Sequence, residues 1–426
     1  MSNPIFIARQ DTLEQEILPA QWLSQYKLFG EESYTFQDKE IWKRLCMSRA
    51  AANDRDMHAE ALEEMLTTFS AEHTGKWMLT VYGMDAAVLE GLATMAAVAG
   101  NGTAMAAVAG NALLMHAITN SETAMRVIAN SQTAMQRVAN SATAMDAISG
   151  SKIARGAVQA SPYYNSYIKE NDMAIAKLAV ALASLESAGY SGMAGVAADS
   201  TAMTAVAASS AAMNAVAASS VARNAISASP YYDAKIKEND MAIAKLVVGF
   251  ANLESARYSG CAGMAADSTA MTAVAASSTA MTAVAASGVA LQAIAKAYKQ
   301  TADMLKFLQA VNASDTLIKS IYNTLTKATT LFAAAQLGAQ DDVASANSWA
   351  TTSAAPNAFL ACACGYYSSG NSVNVTYNGT VIAQKKIGTA KPGSVTSTNV
   401  NAITMAPSTF TENGDGYLAV QKFTAK

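Results

Sequence analysis

Few side chains in this chain stand where reaction chemistry would need them. The three histidines, His58, His73 and His116, are isolated from one another, and none falls in an HExxH or comparable metal-ligand spacing. Cys362 and Cys364 form a CxC in an alanine-rich segment, with no second Cys or His pair to complete a zinc site. Two residues apart on a strand they point the same way, which reads as a buried pair. Gly100, Gly102 and Gly110 are not followed by the Gly-Lys-Ser/Thr of a phosphate loop. Asp341 and Asp342 could ligate a cation, but the pair reads first as part of a solvated loop. Nucleophile, base and metal sites need partners at defined positions. The sequence therefore predicts no enzyme, no cofactor and no metal.

Composition narrows the partners. The formal net charge is −3 and 14% of residues are charged; phosphate binding needs clustered Lys and Arg, so nucleic acid is not expected. Hydrophobic residues reach 51%, yet mean hydropathy is only +0.15, because most of that fraction is alanine. Such a chain packs helices closely around thin cores. Cys46, Cys261, Cys362 and Cys364 are too scattered for a disulfide framework and suggest assembly in a reducing cytoplasm. Arg9, Asp11, Glu14 and Glu16 occupy the place where a signal peptide would need its apolar stretch. Between Glu90 and Glu122 the only ionisable side chain is His116, and that stretch is long enough to span a bilayer. Asn101, Gly102, Asn111 and Asn120 interrupt it, and the same spacing continues downstream with charges, so membrane insertion is not expected.

Internal repetition sets the elements that carry these residues. Met95, Met105, Met115, Met125, Met135 and Met145 fall ten residues apart, in units such as NSETAMRVIA and NSQTAMQRVA. The pattern returns at Met193, Met203 and Met213 and again at Met271 and Met281, with Arg223 and Leu291 in the Met position of the last units. A continuous coiled-coil helix repeats at seven or eleven residues, so a period of ten points to short, separately capped helices. Asn or Ser opens each one as N-cap. Met125, Ile128 and Ala129 share a face, while Glu122, Gln132 and Ala142, and Arg126, Gln136 and Asp146, vary on the opposite side. Each helix of about seven residues is roughly 10 Å long and cannot stand alone. Stacking within the chain or between chains must bury it. A methionine row can also be a soft binding surface, but recurrence beside Val and Ala assigns Met105, Met125, Met135, Met145, Met203, Met213, Met271 and Met281 to packing.

A longer repeat is superimposed. SPYYNSYIKENDMAIAKLAVALASLES, from Ser161, returns as SPYYDAKIKENDMAIAKLVVGFANLES, from Ser229. Ile168, Asn171, Ile175, Leu178, Leu182 and Leu185 step by three and four, as do Ile236, Asn239, Ile243, Leu246, Phe250 and Leu253. This predicts a heptad seam of a coiled coil or bundle between chains, with Asn171 and Asn239 either setting register or meeting water. Tyr298, Thr301, Leu305 and Leu308 form a looser third copy, and a further helix carries Ile318, Tyr322, Leu325 and Phe332.

The ends differ from the middle. Residues 1–90 hold Trp22, Trp42 and Trp77 and read as a compact helical head. From about Ser353 the pattern turns to β: Val373, Val375 and Tyr377 alternate before Asn378-Gly379, a strong hairpin signal. Asn413-Gly414 and Asp415-Gly416 lead into Tyr417 to Val420, expected as a last strand.

The predicted fold is mainly α with a small C-terminal β domain: an elongated rod of ten-residue helical repeats alternating with heptad helices. Its order is a head over 1–90, decapeptide repeats over 91–160, a heptad helix over 161–190, repeats over 191–228, a heptad helix over 229–258, repeats over 259–296, heptad helices over 297–340 and a β tip over 353–426. In that organisation the chain resembles tail fibres and other virion appendages of tailed bacteriophages. The resemblance implies a homotrimer, assembled in the host cytoplasm, anchored to other virion proteins by residues 1–90 and touching a host receptor through its tip. Tyr377, Asn378, Gly379, Asn413, Asp415 and Tyr417 are the expected contact residues, since turns at an exposed end are free to carry recognition. The alternatives are a bacterial surface adhesin, and a neck or head fibre or other internal virion protein.

Overall fold

The computed structural model describes Leu92 and residues 95–297, 301–341, 349–350, 357–366, 373–385, 394–405, 408–412 and 416–426. The head expected over 1–90 lies outside the described residues. The described chain is mainly helical and ends in a small antiparallel β region. It divides into two compact units, Met1–Val196 and Ala197–Lys426.

In the first unit the ten-residue repeats are short helices: α1 Met95–Gly100, α2 Gly102–Gly110, α3 Ala112–Asn120, α4 Glu122–Ala129, α5 Gln132–Ala139, α6 Ala142–Gly150 and α7 Lys152–Gln159. A single extended residue opens each of α2 to α7: Asn101, Asn111, Ser121, Ser131, Ser141 or Ser151, with φ between −95° and −109°. Its side-chain oxygen accepts from a first-turn N–H that would otherwise lack a partner. One extended residue is enough to turn a corner, and the axis swings by 97° between α2 and α3. After three corners the chain lies on itself: α1 packs on α4, α2 on α5, α3 on α6 and α4 on α7.

The serine caps also tie successive turns together. Ser131 Oγ donates to Ala99 O at 2.6 Å, Ser141 Oγ to Ala109 O at 2.5 Å, Ser151 Oγ to Thr119 O at 2.6 Å and Ser161 Oγ to Ala129 O at 2.5 Å, each across 32 residues. A hydroxyl both accepts and donates. One side chain therefore satisfies an N–H at the start of its own helix and a carbonyl in the last turn of the helix beneath.

The core follows from this three-sided winding. Ala134, Met135, Val138 and Ala139 all have 0% exposure. The alanine before each methionine is buried as fully as the Met face, because α5 is covered by α2 on one side and by the next turn on the other. Alanine lets backbones approach, and methionine, flexible and unbranched, fills the axis they leave. Burying one such methionine contributes about 1.5–3 kcal/mol, which a lone helix of this length could not gain.

The segment 161–190, expected as one heptad helix, is interrupted. α8, Tyr164–Tyr167, is a single turn, and α9, Asp172–Leu182, starts afresh after Asn171, whose φ of −87° and ψ of 114° are extended. Asn171 Oδ1 accepts from Ala174 N at 3.1 Å and its Nδ2 donates to Ala139 O at 3.1 Å, so it does what the serines do. Ile168, Ile175 and Leu178 have 0% exposure, and Leu182 and Leu185 are half-buried. The expected seam between chains is thus the interior of one chain. An Asn-Asp pair supplies a cap and a first-turn acid, which start a new helix whatever the apolar spacing around it. α9 closes in a left-handed residue, Ser184 at φ 62°, with Leu185 N donating to Val180 O at 2.9 Å. Met193 N then donates to Asp172 Oδ1 at 2.8 Å, and a Cβ at Gly192 would lie 2.1 Å from Asp172 Oδ2, so any side chain there would push the capping carboxylate aside. The division between the units falls inside α10, Met193–Ala198.

The second unit repeats the scheme with α11 Ser200–Ala208, α12 Ser210–Ala218, α13 Ser220–Ser227, α14 Tyr232–Lys235, α15 Asp240–Phe250, α16 Cys261–Ala266, α17 Ser268–Ala276, α18 Ser278–Ala286 and α19 Gly288–Lys296. Corners of 100° and 104° separate α11 from α12 and α17 from α18. Asn239 is extended and caps α15, and Ile236, Ile243 and Leu246 have 0% exposure, with Phe250 and Leu253 half-buried. This second expected seam is likewise covered by its own chain. α20, Thr301–Asn312, and α21, Asp315–Lys327, continue the stacking, on α17 and α18.

Phe332 does not extend α21, as its spacing suggested; it opens the first strand. β1 Phe332–Asp341, β8 Gly416–Ala425, β3 Ala358–Tyr366 and β6 Ala402–Met405 form one sheet in that order, and β2 Trp349–Ala350, β7 Ser408–Glu412, β4 Val373–Tyr377 and β5 Thr380–Lys385 form the other. The alanines of β1 read as helical by propensity, but pairing with β8 from Phe332↔Ala425 onward overrides it. Asn378 and Gly379, at φ 47° and 76°, make the tight turn between β4 and β5. Asn312 at the end of α20 donates to Ile403 O at 2.6 Å and accepts from Ile403 N at 3.1 Å, which occupies the outer edge of β6.

Candidate functional site

The residues considered for chemistry are dispersed. His116 is exposed on α3, and His58, His73 and Asp342 lie outside the described residues. Cys362 and Cys364 are both buried on β3, where they pair with Val420 and Leu418 of β8. Burial pushes the Cys362 thiol well above its usual range, and Cys261, on α16, is raised by burial first and by Asp240 second. Gly100, Gly102 and Gly110 belong to α1 and α2. Among the described residues no group of three or more His, Cys, Asp or Glu could hold a metal ion. Nor is any single helix among them long and apolar enough to cross a membrane.

The packing methionines lie in the interior: Met105, Met125, Met135, Met145, Met203 and Met213 at 0% exposure, Met271 at 1% and Met281 at 2%.

The expected contact surface does not form as one patch. Tyr377 is 1% exposed and belongs to the core of the β domain, leaving Asn378 and Gly379 as the exposed turn. Asn413 and Asp415 lie outside the described residues. Tyr417 sits in β8 between Asp341 of β1 and Gly365 of β3. The register separates these positions. Val373 opposes Glu412 at one end of β4, whereas Tyr377 opposes Ser408 at the other. Ser408 Oγ donates to Met405 O, Met405 opposes Phe359, Phe359 opposes Phe423, and Lys426 N donates to Leu331 O at 2.9 Å. The Asn378-Gly379 turn therefore lies at the helix-facing end of the β domain. Glu412, Gly416 and Tyr417 lie toward the other end: Glu412 is four residues along β7 from Ser408 and Tyr417 six along β8 from Phe423, about 13 and 20 Å at roughly 3.3 Å per residue.

Two buried lysines, absent from the sequence reading, are the most distinctive polar groups. Lys177 on α9 is 2% exposed, and its Nζ donates to Asp146 Oδ1 of α6 at 2.6 Å and to Ser187 O at 3.1 Å. Ser187 Oγ donates to the same Asp146 oxygen at 2.7 Å. Lys245 on α15 is 0% exposed and repeats the arrangement with Asn214 Oδ1 of α12 at 2.7 Å and Ser255 O at 3.0 Å. Ser255 Oγ donates to Asn214 Oδ1 at 3.1 Å. Burial lowers the Lys245 pKa from its ordinary value. The signal for these groups was Lys-Leu in both SPYY copies, each lysine 31 residues after its partner, one winding plus one residue. Variation between units puts Asp146 on the outer side, since spacing within one unit does not reveal the length of a winding.

A cleft of 630 Å³ in the second unit is lined by Lys237, Glu238, Asn323, Thr324 and Lys327 among others. Its one carboxylate is engaged: Glu238 accepts from Gly288 N at 3.1 Å and Val289 N at 3.3 Å, capping α19. No protein-family model matches the chain, and no curated protein matches it.

Proposed function

We propose that this chain is a structural virion fibre subunit, held to the particle by its N-terminal part and presenting its C-terminal β domain to the host surface. The observation that carries the reading is the ladder of cap serines and asparagines between windings. A winding that satisfies its own helix ends and its neighbour's can be added or removed without opening a core, which is what a spacer of adjustable length requires. The alternation of windings with SPYY segments, and a β domain appended to them, suits an extended appendage better than a catalyst, whose groups would have to converge. Contact with the host falls to the end of the β domain bearing Glu412, Gly416 and Tyr417, since the opposite end faces the helices. Self-association, as a trimer or otherwise, uses surfaces other than the heptad-spaced residues.

Two measurements test this. Antibodies raised against residues 332–426 should decorate the outer ends of appendages on intact particles and block adsorption to cells. Absence of the protein from purified particles, or labelling only after particles are broken open, would overturn the proposal. Native mass spectrometry of the purified chain reads the copy number directly.

A further inference from the structure

We propose that Lys245 and Asn214 join spontaneously through an amide bond between the lysine Nζ and the asparagine Cγ, linking successive windings of the second unit covalently. The inference is independent of the fibre reading. Nζ stands 2.7 Å from Asn214 Oδ1, which brings it within van der Waals reach of the carbonyl carbon. Its second hydrogen bond, to Ser255 O at 3.0 Å, fixes the direction of the amine. Ser255 Oγ donates to the amide oxygen at 3.1 Å, polarising the carbonyl and supplying a donor for the negative charge that would develop there. The amine is enclosed, at 0% exposure, and faces a neutral amide where its counterpart faces a carboxylate. Desolvation favours the uncharged amine, the form that attacks. Holding both groups in one geometry converts a slow encounter into an internal reaction.

The step balances without a co-reactant. The Nζ lone pair forms a bond to Cγ, one Nζ proton passes to Nδ2, the Cγ–Nδ2 bond breaks, and ammonia leaves. Lys177 provides the internal control. It has the same two lysine contacts, but Asp146 is a carboxylate, an ion-pair partner and a poor electrophile, so no bond forms there. The link would close a loop of 31 residues between stacked helices and hold the windings against being drawn apart.

Intact mass of the purified full chain decides the matter. The expected mass is lower than the sequence mass by one ammonia, and a protease digest contains a branched peptide joining Asn214 to Lys245. Asn101-Gly102, Asn378-Gly379 and Asn413-Gly414 could lose ammonia by closing on their own backbones. Lys245→Met separates the two sources: the deficit should vanish, and a deficit that persists overturns the proposal. Asn214→Asp, which installs the ion pair of the first unit and should fold, is expected to keep its full sequence mass. A wild-type chain at full mass, or a digest without the branched peptide, overturns it equally.

Discussion

The two SPYY segments share their helices, their caps and a buried lysine, yet the lysine of the first unit meets a carboxylate, Asp146, and that of the second an amide, Asn214. A second difference accompanies it. Where α9 carries Ala181, α15 carries Gly249, whose added Cβ would lie 2.5 Å from Ala217 O. The first unit balances a buried charge with an opposite one; the second faces the lysine, its pKa lowered by burial, with a neutral amide and brings its helices close at Gly249. The same winding therefore tolerates two solutions to the desolvation of an amine, because the backbone ladder, and not the lysine, sets its geometry.

That contrast can be broken most strongly at Asp146. Asp146→Ala leaves the Lys177 ammonium buried without its counter-ion, which should cost about 3 kcal/mol, the lower end of the usual range because Asp146 is 33% exposed. Urea unfolding followed by circular dichroism measures it; a loss no larger than that of an exposed salt bridge would mean water reaches the lysine. Next comes Gly249→Ala, expected to cost about 1–3 kcal/mol by forcing α15 off α12. The reciprocal Ala181→Gly should lose about 1 kcal/mol or less, the ordinary helix penalty. Equal effects from the two swaps would contradict the closer approach in the second unit.

A cap serine tests what the two units share. Ser141→Ala removes both an N-cap and the bond to Ala109 O, for about 1–2 kcal/mol. Ser141→Asp, which caps but cannot donate, should recover only part of that loss in thermal melts. A smaller effect than the cap serine's is expected at Asp267, cap of α17, which accepts from Tyr258 OH at 2.8 Å. That bond first, and the N–H groups of Ala270 and Thr269 after it, hold its carboxyl below the ordinary 3.8. A carboxyl depressed in the fold adds stability that is present above pH 3.8 and lost as the pH falls through the folded value. Tyr258→Phe should therefore lose about 1 kcal/mol at neutral pH, with the gap to wild type narrowing below pH 3.8. A gap constant with pH would assign the tyrosine a packing role only.

Much of this was legible in the residues. The ten-residue period, the Ser and Asn caps, the Met-x-x-Val/Ile-Ala face and the Asn378-Gly379 hairpin all depend on interactions within a few residues, and sequence reports these directly. The heptad reading of Ile168 to Leu185 failed for an instructive reason. Steps of three and four mark a face turned toward apolar partners, but not whether the helix continues or whose side chains supply the partners. Asn171, expected within a helix either to set register or to meet water, is the cap at which a new helix begins. The spacing that carries Ile318, Tyr322 and Leu325 on to Phe332 marks an apolar face, but only pairing with distant Ala425 shows that Phe332 opens a strand. Nearness to a turn suggests a contact role for Tyr377, but its alternation with Val375 puts it in the core.

By itself, then, the sequence determined the local grammar: where each helix starts, which of its faces is apolar, and where a strand must reverse. Only the tertiary structure decided the length of a winding, and with it every partnership across that distance. The serine that caps one helix also ties the helix below, and the lysine reaches a side chain 31 residues back. The physical reason is that capping and periodicity are settled by hydrogen bonds within one helical turn, whereas the corner angle is a sum of small backbone choices. Its outcome appears only when the chain returns to meet itself.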